Sequence, residues 1–288
     1  MSAGATAGFS WRDAAPVLAT GLVFSVLFWQ PLTTLLRDWW SDPEAGHGLL
    51  LGPLALVLAW RRGRAPGAAP QPRLGALIIL SAVLLRYLSG LAAELFTMRL
   101  SLLGAAAGLV VFVAGLRQVL HWWLPSLLLF LSVPLPVVVL SSLAFPLQLK
   151  ASQFGAALLA WRDVPVEVAG NVIHLPGRTL FVTEACSGLR SLTALLALGL
   201  LIGGLWLRST WGRVLIVLAA VPVAMFLNGI RIFLTGFLVY FVSPSLGEGV
   251  MHYSEGWGIF VIAFAVLGAL AFAIVRLEAL AAAPGRLA

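Results

Sequence analysis

Cysteine occurs once in this chain, as Cys186 in the stretch TEACSGLRSL over residues 183–192. A thiolate is a strong nucleophile and a thiol a weak one, so chemistry at this sulfur needs a local positive field. Arg190 stands at i+4, one helical turn along, and the apolar run that begins here would set Cys186 at a helix N-terminus. The dipole and the free amides there favour an anion. Glu184 and Ser187 flank the sulfur as supporting candidates. Two further polar residues interrupt apolar runs downstream: Arg231 in FLNGIRIFLTG and His252 in MHYSEGWGIF. An imidazole moves protons near neutral pH, and a fixed guanidinium can stabilise the oxyanion of a tetrahedral intermediate. Asn228, three residues before Arg231, shares its helical face and could orient it. Taken singly, each residue has a plainer reading. A lone cysteine serves as a small buried hydrophobe, Arg231 or Arg190 as an arginine snorkelling to the interface, and His252 as an interfacial histidine. Taken together, the three types are the parts of a cysteine acyl-transfer site.

The surrounding chain is a membrane sequence. Of 288 residues 61% are hydrophobic and 10% charged, which excludes disorder and leaves too little charge to cover a soluble surface. Apolar runs of about 18 residues or more recur along the whole length, so the fold expected is an all-α polytopic membrane protein. The net charge of +7 comes almost entirely from arginines at the ends of apolar runs, with no basic stripe, so no nucleic-acid partner is expected. One cysteine allows no internal disulfide and no cysteine-based metal cluster, and no cofactor is called for. The first apolar run lacks a small-residue cleavage site after it and reads as a retained span.

Eight transmembrane helices are expected, near 16–36, 47–60, 74–93, 100–116, 121–141, 188–207, 213–242 and 256–275, in a single integral membrane domain over 1–288. With a cytoplasmic N-terminus, the inside loops hold Arg12, Arg61, Arg62, Arg64, Arg73, Arg117, Arg208, Arg213, Arg276 and Arg286. The outside loops hold only Arg37, Lys150, Arg162 and Arg178, and eight acids (Asp38, Asp42, Glu44, Asp163, Glu167, Glu184, Glu248 and Glu255). This asymmetry puts both termini in the cytoplasm. On that topology Cys186 opens the sixth span and His252 the eighth, both from outside. Arg231, eighteen residues past Arg213, lies roughly 27 Å across a core of about 30 Å. Thiol, guanidinium and imidazole would then reach the same membrane face. Residues 142–187 form an outer-face insert. Within it, 143–161 reads as an amphipathic surface helix. VPVEVAGNVIHLPGRTLFVTEA then reads as a small two- or three-stranded extracytoplasmic β unit leading into Cys186.

TEACSGLRSL, FLNGIRIFLTG and HYSEGWGIF, in that order, resemble the three signature blocks of the exosortase/archaeosortase family. The resemblance extends to the PLP break at 134–136, to VPVEVAGNVIHLPG and to GHGLLLGPLALVLAWRR, covering about residues 38 to 275. It implies a bacterial inner-membrane sorting enzyme with its active site on the periplasmic side, and the family's catalytic Cys, Arg and His fall on Cys186, Arg231 and His252. It further implies substrates that are secreted proteins with a PEP-CTERM-type tail, made of a short motif, one helix and a basic cluster. The Cys would cleave at the motif through a thioester and pass the new C-terminus to an acceptor, a lipid or a glycan. The N-terminal block departs from the family in reading Ala45-Gly46-His47-Gly48, without the usual aromatic and serine. His47 could therefore serve as a structural cap or as a substrate contact. From the residues alone, a non-enzymatic membrane component of exopolysaccharide export or transport stands as the alternative, kept open by Arg86 and Glu94 at the third span.

Overall fold

The computed structural model describes residues 11–42, 44–182, 189–243 and 250–281, and side-chain surroundings from residue 18 on except at 137, 189–191 and 250–257. It divides into two compact units, one of residues 1–42 and 62–122, the other of residues 43–61 and 123–288.

In the first unit α1 (Trp11–Leu27) and α2 (Trp29–Ser41) meet at Phe28 with a bend of 67°. α4 (Pro72–Leu91) and α5 (Leu95–Ala114) form a hairpin, and α6 (Leu116–His121) follows. The hairpin closes tightly because Gly75 lies against Phe112 and Gly108 against Ile79, where an added Cβ would come within 2.5 Å and 2.8 Å of them. Small residues at such seams matter in a membrane, where lipid is as apolar as leucine and association relies on close packing. α2 carries a polar stripe at Gln30, Thr34 and Asp38, and the hairpin meets it with two arginines. Arg86 donates to Gln30 Oε1 at 2.8 Å, and Arg99 to the Thr34 carbonyl at 3.3 Å and to Asp38 Oδ2 at 2.6 Å. The Arg99 side chain is 4% exposed and that of Asp38 32%, so this ion pair is largely withdrawn from solvent.

The second unit holds most of α3 (Gly48–Arg62), then α7 (Trp123–Leu131), α8 (Val137–Trp161), a three-stranded sheet, α9 (Leu189–Trp206), α10 (Thr210–Phe241) and α11 (Val250–Ala281). The sheet is antiparallel, in the order β1 (Glu167–Ala169), β2 (Val172–Leu175) and β3 (Arg178–Phe181). Its two hairpins turn at Gly170 and Gly177, both at positive φ, which a side chain would disfavour. Ile173, Leu175 and Val182 pack with Ala151, Ala156 and Leu159 of α8 and Ile232 of α10. A second core joins α9, α10 and α11 through Leu195, Ile202, Ile216, Ala220, Ala224, Ala263, Leu267 and Ala271.

The helical class and the small sheet follow the sequence expectation, but eight spans do not. Among the described residues, four helices are long and apolar enough to cross a membrane: α4, α5, α10 and the Gly258–Ala281 part of α11. The bent α1–α2 pair would make a fifth. α3 has 15 residues and reaches about 22 Å, short of a core of about 30 Å. The expected fifth span breaks after nine residues of α7, at Ser132–Pro136, where proline removes backbone donors. In α9 the apolar stretch with described side chains is Leu192–Trp206, 15 residues long. The expected surface helix begins six residues early and buries Ala144, Gln148, Ala151, Ser152 and Leu159 along one side, against α10 among others. Glu94 lies beyond α4 and caps α5, accepting from the amides of Phe96 and Thr97.

Two stability effects follow. Asp38→Ala leaves the Arg99 guanidinium buried without its anion and lowers stability by about 3 kcal/mol, the low end for a broken buried pair because Asp38 still meets solvent. Thermal unfolding in detergent reads this, and an unchanged midpoint contradicts it. Burial pushes the Glu94 carboxyl up, but the Thr97 hydroxyl, the Thr97 and Phe96 amides and the Arg99 charge outweigh it and hold the group below the usual carboxylate range. A depressed pKa stabilises the fold above the unfolded-state value and loses that contribution as pH falls through the folded one. Glu94→Ala therefore costs about 1 kcal/mol at pH 7, and the gap to the parent narrows below about pH 4.

Candidate functional site

Arg231 is positioned by the build of α10. Ser209 starts the helix, its hydroxyl accepting from the Gly212 amide at 2.9 Å. Glu278, near the end of α11, accepts from the Arg208 and Ser209 amides at 3.0 Å and 3.1 Å and from the Ser209 hydroxyl. Those bonds tie the C-terminal end of α11 to the N-terminal end of α10. α9 runs antiparallel to α10 as well, because Gly203 lies against Arg213 and Gly199 against Ile216. The first turns of α9 and α11 therefore both lie toward the C-terminal end of α10.

α10 uses two faces. One packs on α8, where Gly229 lies against Phe154, Gly155 against Ile232 and Gly236 against Leu159, each contact too close to admit another Cβ. The other carries Ala224, Leu227, Asn228 and Arg231 toward α9 and α11. With Leu195 of α9 and Ile259, Phe260 and Ala263 of α11, these residues line a small pocket of about 10 Å³. That is at the threshold for one water molecule. Asn228 is 5% exposed and Arg231 half-buried. A guanidinium stays charged at any working pH and offers five donors in a fixed fork. Among aliphatic and aromatic walls its field is screened less than in water, so the pocket is suited to an anion or to an oxygen that gains negative charge.

The remaining candidates divide by what the structure describes. His252 stands in the first turn of α11, seven positions before Ile259, and Arg190 in the first turn of α9, five before Leu195. Along helix axes that puts their backbones about 10 Å and 8 Å from the pocket level, on the same side of it. Their side chains lie outside the described set. Glu184, Cys186 and Ser187 lie outside the described residues altogether, in the segment joining β3 to α9. His47 is elsewhere. Its ring Nε2 lies 3.0 Å from the Leu131 carbonyl at the end of α7, and its own carbonyl accepts from the Leu50 and Leu51 amides at the start of α3. The imidazole thus occupies a carbonyl that the end of α7 leaves without a helical donor, which is the arrangement of a cap. Arg86 and Glu94, which kept a transport reading open, are engaged by Gln30 and by the α5 amides.

Sequence reasoning passed over two groups. The Arg99–Asp38 pair joins residues far apart in the chain, and its only sequence signal was an arginine inside an apolar run facing an acid at the outer end of another. Glu278 was an acid among arginines near the C-terminus, and its capping of α10 has no local motif.

Residues 39–269 match the family model described as transmembrane exosortase (Exosortase_EpsH). No curated protein and no solved structure matches the chain.

His47→Ala should lower stability by about 1–2 kcal/mol by stranding the Leu131 carbonyl, while His47→Gln restores part of it. Substrate processing per folded molecule, measured alongside unfolding, stays near the parent's for a capping residue. A loss of processing at unchanged stability would make His47 a substrate contact.

Proposed function

Since the chain belongs to the transmembrane exosortase family, we propose that it is a membrane-embedded cysteine transpeptidase acting on the C-terminal sorting tails of secreted proteins. Cys186 is the nucleophile, Arg231 the oxyanion donor, and His252 the proton carrier. Asn228 orients Arg231, while Arg190, Glu184 and Ser187 tune the surroundings of the thiol. The observation that carries this reading is the pair Asn228 and Arg231 lining an apolar pocket among α9, α10 and α11. Cys186 lies three residues before α9, and His252 in the first turn of α11.

The chemistry runs in two halves. The Cys186 thiolate attacks the scissile carbonyl, and the electron pair of the C=O bond moves onto oxygen, where the Arg231 guanidinium meets it. Collapse of that adduct breaks the C–N bond, and the His252 imidazolium protonates the departing amine. The upstream protein remains as a thioester on sulfur. An acceptor nucleophile, a lipid or glycan hydroxyl or amine, then gives its proton to the imidazole and attacks the thioester, which releases the thiolate. The pocket's small size fits a site that closes around a single carbonyl oxygen rather than around a large ligand. Both termini on this reading are cytoplasmic and the thiol faces the periplasm.

Cells that express the chain with a tail-bearing substrate test the assignment. Cys186→Ala and Arg231→Ala leave protein in the membrane at parental levels and reduce processing at least 100-fold. His252→Ala reduces it comparably, and Arg231→Lys recovers little because an ammonium lacks the planar fork. Processing by Cys186→Ala at the parental rate refutes the cysteine mechanism and favours the non-enzymatic reading.

A further inference from the structure

The three-stranded sheet has two edges, and they are not equivalent. The register pairs Leu175 with Arg178, Ile173 with Leu180, and Val172 with Phe181. Beyond the strands, the Val182 amide donates to the Asn171 carbonyl at 2.9 Å. In an antiparallel ladder the pairs that exchange backbone bonds alternate with pairs that do not. Counting back by twos from Val182, the backbone groups of Leu180 and Arg178 point inward to β2. Those of Thr179 and Phe181 therefore point outward, along the free edge of β3. They make no backbone hydrogen bond with any described residue. Both residues are exposed, Phe181 at 66%, whereas Leu180 between them packs inward against the cluster that joins the sheet to α8 and α10. β1 offers one such residue, Val168, because Glu167 and Ala169 spend their backbone groups on β2. α8 also packs beside β1.

An edge whose amides, two residues apart, pair with no described residue has a defined complement, which is another extended chain. β3 has no proline and no bulge to discourage such pairing, and its one charge, the exposed Arg178, lies at the hairpin end on the Leu180 face. Its last residue, Phe181, is five residues from Cys186, a span of at most about 18 Å. A strand seated on β3 thus has its backbone within short reach of the thiol. We propose that the outer edge of β3 is the docking edge for the substrate's cleavage segment, which binds as a fourth strand through the N–H and C=O groups of Thr179 and Phe181. This rests on the cysteine-transfer reading above and adds to it where, and by which backbone groups, the peptide is held. Main-chain bonds hold the peptide extended. Its alternate side chains lie over the exposed face of Thr179, Phe181 and His174, whose Nδ1 is 3.4 Å from the Thr179 hydroxyl.

Disulfide trapping tests the edge directly. In a Cys186→Ser background, Thr179→Cys and Val168→Cys variants are each expressed with a tail-bearing substrate that carries one cysteine, walked residue by residue through the cleavage segment. The Thr179→Cys thiol is expected to cross-link at alternate substrate positions, with at least tenfold less product for Val168→Cys. Cross-linking through Val168→Cys alone, linkage between two enzyme copies through Thr179→Cys, or no cross-link from either variant overturns the proposal. A second arm keeps Cys186. Thr179→Pro removes one outward amide and no ladder bond, and is expected to lower processing at least tenfold with membrane protein levels and Cys186 maleimide labelling unchanged. Parental processing by Thr179→Pro also overturns the proposal. A failed cysteine mechanism looks different, with Cys186→Ala active whatever the cross-linking pattern.

Discussion

A guanidinium held among apolar helices is the constraint around which the second unit is built. Placing a charge in low dielectric costs several kcal/mol unless polar groups or water answer it. Arg231 sits two-thirds of the way along a 32-residue helix, between aliphatic and aromatic walls from α9 and α11, with Asn228 one turn away. Keeping it there requires α10 to be fixed on both sides. Glycines 155, 229 and 236 seat α10 against α8, and alanines 220, 224, 263 and 271 seat it against α9 and α11. None of that packing gains from hydrophobic transfer between helix and lipid, so the closeness of the contact supplies the stability.

The same constraint explains the use of the helix ends. Glu278 caps the start of α10 with three hydrogen bonds, which fixes α11 against α10 at the end farther from the pocket. The register of α10 and α11 is then set at that end. In the first unit the arginines have a different duty. Arg86 and Arg99 hold α2 through its polar stripe, and each finds a carbonyl, amide or carboxylate oxygen there. One residue type thus serves as a fastener in one unit and as a candidate reagent in the other.

The helical class was legible because apolar runs of membrane length occur in few other settings. The count of spans was not, because breaks inside an apolar run leave composition unchanged. Nothing in 16–36 announces the 67° bend at Phe28, and α3 stops short of a bilayer's thickness. The hairpins around Gly170 and Gly177 were readable because glycine and proline determine turn geometry locally. Arg231 and Asn228 were readable because an arginine inside a span is rare enough to single out. Their meeting with Leu195, Ile259 and Phe260 was not, since helix-to-helix rotation leaves no trace in one sequence. His47 shows the limit from the other side. Its motif neighbourhood suggested substrate or cap equally, and the 3.0 Å approach to the Leu131 carbonyl is a long-range contact that the motif does not encode.

The central claim is that Cys186 carries the substrate as a thioester beside the Arg231 pocket. Intact-mass analysis of enzyme purified during turnover, with peptide mapping after acid quench, addresses it most directly. The account predicts an adduct with the mass of the upstream substrate fragment, on Cys186, released by neutral hydroxylamine and missing from Arg231→Ala. Substrate turned over with no adduct at any time point, or with an adduct on another residue, would contradict it.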